Sequence, residues 1–269
     1  MQKRWFETRY KVLFGICDRC FMKYKEYGSA NARTIILLHG GGLSWWNYRE
    51  EAEMLKNEYH IIVPILDGHA GSDKHFSTIE SNARDIISFI NEYLNGSVFM
   101  LCGLSLGGQV LVEMLSQQAD ICQYAVIESV ALIPSKIMNA LIPPTLHLSY
   151  PLIKQRWFAK MQFHQLRLKA ELFDDYYRDT AAVQKNDMIA FLKASRSYQL
   201  KDSIKKSKAD MHIYFGEKEN RIIKRSAAVL RETVNVSSLT ELPGMFHGDF
   251  SINHPLDYVN EINNIAGII

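Results

Sequence analysis

Apolar runs and stretches of helical spacing alternate along most of this chain. Thr34-Ile-Ile-Leu-Leu38 is apolar almost without a break, the pattern of a strand buried on both faces of its sheet. His60–Leu66, Ser97–Cys102, Tyr124–Ile127, Met211–Phe215 and Ser238–Leu242 are also read as strands. Between them, Ala83, Ile86, Ile87, Ile90 and Leu94 line one face of a helix over Ser81–Leu94, with Asn95-Gly96 as its stop. Helices are also predicted from Ser44, as a cap, to about Asn57, over Leu106–Gln117 and Arg221–Thr233, and from Pro255 onward. An antiparallel hairpin, Tyr10–Gly15 with Arg19–Tyr27, precedes them. Pro64 lacks the N–H that a ladder needs, so its strand should be irregular there or pair weakly on that side. Strands alternating with helices predict an α/β fold: a mostly parallel, eight-stranded sheet with helices on both faces.

The alternation breaks after Val130. Residues from Pro134 to Lys201 hold several helical patterns and no convincing parallel strand, with Pro143-Pro144 and Pro151 as punctuation. The chain therefore divides into a core of residues 1–133 and 202–269 and a helical insertion, 134–201, between the sixth and seventh strands. No internal repeat interrupts this plan.

Composition narrows the classes. A chain of 269 residues with 47% hydrophobic and 22% charged residues is that of an ordinary globular protein able to bury a sizeable core. A formal charge of +2 is too small to imply nucleic acid or an anionic membrane as partner, and the basic run Lys201–Lys208 reads as a solvated linker. No segment reaches the ~18 apolar residues of a membrane span. The mixed charges of Met1–Tyr10 do not resemble a signal peptide, so a cytoplasmic protein, monomer or homodimer, is expected. Of four cysteines, Cys17 and Cys20 form one Cys-x-x-Cys pair, read as flanking the hairpin turn at Asp18-Arg19. No second pair exists to complete a metal site, so no metal and no cofactor is expected.

The chemistry is expected at Gly103-Leu-Ser-Leu-Gly107, where an apolar strand runs directly into a helix. A serine at such a bend is held in a strained conformation, and glycines two residues away on each side let neighbouring backbone approach. The pattern alone arises by chance about 0.1 times in such a chain, so its surroundings must decide. A serine hydroxyl needs a base and a group that orients the base. His247, in the loop Leu242-Pro-Gly-Met-Phe-His-Gly248 past the last strand, is best placed at the sheet edge that carries Ser105. His39, His60, His147, His164, His212 and His254 are worse placed. Glu217 and Glu219 follow the strand after the insertion and Glu128 follows the strand before it; each is a candidate for the acid.

Together these segments resemble the α/β-hydrolase family: His39-Gly-Gly-Gly42 after the third strand, Asp67-Gly-His-Ala-Gly-Ser72 after the fourth, Gly103-Leu-Ser-Leu-Gly107, and Gly244-Met-Phe-His247. The order nucleophile, acid, histidine is the family's. The resemblance implies an α/β-hydrolase fold and a triad of Ser105, His247 and Glu219, with Glu219 in a slot usually filled by aspartate. Glu128 is the alternative acid, since some members use one after the sixth strand. It also implies an oxyanion hole from the backbone N–H groups of Gly41 and Leu106, and that the insertion is a helical cap over the site. Asp67–Asp73 reads as a turn supporting neighbouring loops. Gly42, Trp45, Trp46, Trp157 and Phe158 are candidates for the pocket wall.

The expected function is hydrolysis of a small to medium apolar ester or thioester through an acyl-serine. A carbon–carbon bond hydrolase or acyltransferase on the same triad, or a non-catalytic small-ligand binder of the same fold, is the alternative.

Overall fold

The computed structural model describes residues 13–16, 22–234 and 238–267. Cys17, Cys20 and their turn lie outside the described residues, as do residues 10–12 and 19–21 of the predicted hairpin. Among the described residues eight strands form one sheet: β1 (Leu13–Ile16), β2 (Lys23–Tyr27), β3 (Thr34–Leu38), β4 (His60–Pro64), β5 (Val98–Leu104), β6 (Cys122–Glu128), β7 (Asp210–Gly216) and β8 (Ser238–Leu242). Their order is β1-β2-β4-β3-β5-β6-β7-β8. Pairing is antiparallel from β1 to β4 and parallel from β4 to β8.

The apolar runs serve two cores at once. In β3, Ile36 and Leu38 join one buried cluster while Ile35 and Leu37 join the other, because successive side chains of a strand leave opposite faces. The first cluster is covered by α2 (Ile79–Tyr93), α3 (Leu106–Gln117) and α8 (Arg221–Thr233). The second is covered by α1 (Arg49–Leu55), α9 (Asp249–Asn253) and α10 (Pro255–Ile265). From β3 the chain crosses to β4 on one side and returns to β5 on the other. The C-terminal ends of β3 and β5 therefore flank the switch point where such sheets open a crevice.

Local signals act with small shifts. Thr78, not the residues after it, caps α2 by accepting from the Ser81 N–H at 3.0 Å. At its end Asn95 and Gly96 both have positive φ, and the Gly96 N–H bonds back to the Ile90 carbonyl. Ser44 does not cap α1: its hydroxyl donates to the Ala70 carbonyl, and a 3-10 turn over Trp45–Tyr48 precedes the helix. β4 ends at Pro64, two residues beyond its last pairing with β3, so the missing donor falls where the parallel ladder has already stopped.

Residues between β6 and β7 form α4 (Lys136–Ile153), α5 (Arg156–Gln165), α6 (Phe173–Ala182) and α7 (Lys185–Ser197). Contrary to the expectation from sequence, Pro143, Pro144 and Pro151 lie inside α4 without ending it. The carbonyls they leave free belong to Asn139, Ala140 and His147, which are exposed or half-buried and open to water. Buried Leu146 and Ile153, and the Tyr150 hydroxyl on the Val183 carbonyl at 2.9 Å, hold the helix in place. At the neck of this region the Gln109 amide, on α3, donates to both the Ala131 and Ser195 carbonyls at 2.6 and 2.9 Å. The Ser135 N–H bonds the Arg196 carbonyl beside it.

Candidate active site

At the end of β5 the backbone of Ser105 is in the positive-φ region (φ 53°, ψ −110°), a conformation costing a non-glycine residue roughly 1–3 kcal/mol. The bend is closed by contacts that only glycine allows. A Cβ on Gly103 would sit 2.7 Å from the Gly107 carbonyl oxygen, and one on Gly107 would overlap the Leu38 carbonyl on β3. The Ser105 N–H is anchored on the Glu128 carbonyl of β6 at 2.9 Å.

The loops after β7 and β8 bring the partners. The Lys218 N–H bonds the Met245 carbonyl, and the Phe246 N–H donates to the Asp249 carboxylate at 2.7 Å, which leaves His247 at the crest of its turn. Its Nε2 lies 3.0 Å from Ser105 Oγ and its Nδ1 lies 2.7 Å from Glu219 Oε2. With Nδ1 donating to the carboxylate, Nε2 presents a lone pair to the serine hydroxyl. The Glu219 carboxylate is fully buried, and its other oxygen accepts from the Ser129 hydroxyl at 2.6 Å and the Gly216 N–H at 3.1 Å. Burial alone would raise this carboxyl's pKa, but the hydrogen bond and charge of His247, with Ser129 and Gly216, hold it below the ordinary value.

Glu128 is placed differently. One oxygen accepts from the Ser251 N–H at 3.3 Å, the other has no partner among the described residues, and neither bonds an imidazole. Burial pushes its pKa up to about 7. Glu217 is exposed and accepts from the Gly244 N–H.

The glycine run after β3 lies against the same helix start. The Cβ position of Gly41 is 3.4 Å from the Leu106 side chain, and neither the Gly41 nor the Leu106 N–H donates a hydrogen bond among the described residues. Two buried histidines shape this loop. His39 donates through Nδ1 to the Gly40 carbonyl and accepts the Leu66 N–H at Nε2. His69 donates through Nδ1 to the Asp67 carbonyl and accepts the Gly42 N–H at 3.0 Å. Burial lowers their pKa values to about 3 and about 4, so both stay neutral. The turn after β4 thus holds the glycine run directly.

The wall candidates separate. Gly42 has positive φ and faces open space. Trp45 is half-buried between Lys25 and Arg49, and Trp46 is buried with its indole N–H on Asp179 at 2.8 Å. Phe158 packs against the main core, whereas Trp157 is 64% exposed on the outer surface. Neighbours on a helix point about 100° apart, so only one of the pair turns inward. The other candidate histidines are not brought to Ser105. Among residues without a sequence signal are Ser129, which supports Glu219, and Phe191 of α7, which stacks on His69 at 4.5 Å and lies 3.8 Å from the Gly41 Cβ position.

Residues 35–260 match the family model described as "Alpha/beta hydrolase family". Similar solved structures include an alpha/beta hydrolase family protein, called putative in its description, from Desulfitobacterium hafniense (19% identity, 91% of this chain and 100% of that one, TM-score 0.74). Another is a thermophilic esterase from Thermogutta terrifontis (15%, 91% and 93%, 0.74). A third is the enol-lactonase from Burkholderia xenovorans LB400 (16%, 91% and 97%, 0.73).

Proposed function

The chain belongs to the alpha/beta hydrolase family, and we propose that within it the protein is a serine hydrolase of small to medium apolar esters or thioesters. The observation that carries this reading is the unbroken line Glu219–His247–Ser105, with links of 2.7 and 3.0 Å. In the reaction His247 Nε2 takes the Ser105 proton as Oγ attacks the acyl carbon. Glu219, buried and ionised, stabilises the imidazolium and keeps its tautomer. The Gly41 and Leu106 N–H groups receive the developing oxyanion. The tetrahedral intermediate collapses with the His247 proton passing to the leaving alcohol or thiol, giving acyl-Ser105. Water, deprotonated by His247, then releases the acid and restores the serine. Residues 134–201 act as a cap, its Phe191 beside Gly41, limiting water and selecting the acyl group by shape.

A fluorophosphonate probe and short-chain nitrophenyl esters test this. Ser105 is expected to be labelled, and Ser105→Ala to abolish labelling and lower turnover by about 10⁴-fold or more. A folded protein with neither labelling nor turnover would instead be a binding module.

A further inference from the structure

Eleven large apolar side chains are exposed among the described residues, and eight of them lie between Ile137 and Leu166, in and just after α4 and α5. Five belong to α4: Ile137, Met138, Leu141, Leu148 and Leu152. At 3.6 residues per turn they fill an arc of about 100°, turned away from the arc of Leu146 and Ile153 that the fold buries. α4 is therefore apolar on two faces, one packed on α7 and one facing water. Trp157 and Met161, one turn apart on α5, continue the exposed apolar surface at 64% and 45%.

Charge in the same segment is one-sided. No Asp or Glu occurs between Glu128 and Glu171, while Lys136, Lys154, Arg156, Lys160, Arg167 and Lys169 all do. Arg156 and Lys169 meet carboxylates from outside the segment, Asp174 at 2.5 Å and Glu50 at 2.6 Å. The other four form no ion pair among the described residues. Lys160 and Arg167, with Trp157, Met161, His164 and Gln165, line an open groove of about 780 Å³. The Arg167 guanidinium also sits 3.8 Å over the Phe246 ring, next to His247. The groove thus leads to the loop that carries the base.

We propose that the outer face of α4 and α5 docks on an anionic lipid surface, apolar side chains entering the headgroup boundary and the lysines and Arg167 meeting phosphates. This combination of an apolar stripe with flanking cations is what binds such an interface. No helix among the described residues is long and apolar enough to cross a membrane, so the contact is with its surface. A second copy of the chain fits poorly, because a two-fold pairing sets like against like and would bring a second set of cations to a segment with no carboxylate. An acidic protein would meet the charge but leave Ile137 and Leu148, 77% and 82% exposed, without an apolar medium. An acyl ester held in lipid enters beside Arg167 and Phe246; that consequence, unlike the docking, rests on the serine hydrolase reading.

Docking is measured by flotation of the full Ser105→Ala chain with vesicles of phosphatidylcholine alone and with about 30% phosphatidylglycerol, so that failure of the hydrolase reading leaves the result intact. Affinity for the anionic vesicles is expected to be at least about tenfold higher and to fall with salt. Ile137→Ser with Leu148→Ser, and separately Lys136→Glu with Lys154→Glu, should each weaken it by about tenfold or more. In the chain with Ser105 intact, these pairs should leave circular dichroism and soluble-ester turnover unchanged. No flotation, equal flotation with neutral vesicles, or full flotation of either pair overturns the proposal. So does a dimer in sedimentation that Leu148→Ser dissolves, which assigns the face to a second copy, or binding to polyglutamate without binding to vesicles, which assigns it to an acidic protein.

Discussion

The sheet edge around Ser105 and the outer face of α4 and α5 are organised in opposite ways. At the edge, backbone from β3, β5, β6, β7 and β8 converges, the glycines at 103 and 107 have no room for a Cβ, and the Glu219 carboxylate is fully buried. On the outer face, large apolar side chains stand in water and four of the six cations have no carboxylate partner among the described residues. The first region fixes atoms to within a hydrogen bond at the cost of strain. The second, apart from Arg167 at φ 56°, shows no such strain among the described residues and leaves its apolar surface in water. Substitutions should therefore be felt strongly at the edge and hardly at all, in solution, on the outer face.

The largest contrast lies between two buried carboxylates. Glu219→Gln removes the charge facing the imidazolium and should lower kcat by about 10³–10⁴-fold. Glu128→Gln, which keeps the shape of a carboxyl that bonds no imidazole, should cost less than about tenfold; assay of both variants on one soluble ester reverses the acid's assignment if the order is reversed. Next, Gly107→Ala forces a methyl group onto the Leu38 carbonyl. Denaturant unfolding should show a loss of about 3–5 kcal/mol, as for other severe clashes in a packed interior.

Smaller still is the effect of a one-unit fall of pH below 6.5, at most about 1.4 kcal/mol net from three buried groups. In the unfolded chain His39 and His69 bind protons near the usual 6.5, but in the fold only near about 3 and about 4. The unfolded state binds more protons below 6.5, so these two residues remove stability as pH falls from there. Glu128 runs the other way: its folded value of about 7 exceeds the usual 4.5, so its contribution is complete below 4.5 and is lost as pH rises through 7. Unfolding free energy should peak near about pH 6.5 by these groups, and Glu128→Gln should flatten the fall above it. Smallest of all, Leu148→Ser should change stability by no more than about 0.5 kcal/mol, measured by the same unfolding curve.

How much of this was legible in sequence follows the same division. Ser105, His247 and the glycines could be read because a strand, a tight bend and a helix impose spacing, and the resemblance to a family supplied the acid's slot. The two-faced apolar runs announced β3 and its neighbours. Ser129 could not be read, since a serine after a strand carries no mark of the carboxylate it will meet 90 residues later. Nor could His69, whose bond to the Gly42 N–H depends on how two loops dock. Ser44 failed as a cap because a neighbouring carbonyl competed for its hydroxyl, and the prolines of α4 failed as stops because tertiary packing outweighed them. The outer face was hidden by averaging: a chain of net charge +2 contains a stretch of forty-two residues, 129–170, with six cations and no acid.

The Gln109 amide that joins the Ala131 and Ser195 carbonyls sets a rule for how this chain can change length. It closes the excursion at its base, from a helix that belongs to the core. Once ends are held together, doubling the enclosed segment adds only about 0.6 kcal/mol of closure entropy. Exposed stretches between those two points can therefore change in length at little closure cost, provided that Leu146, Ile153 and Phe191, which pack into the core, keep their places.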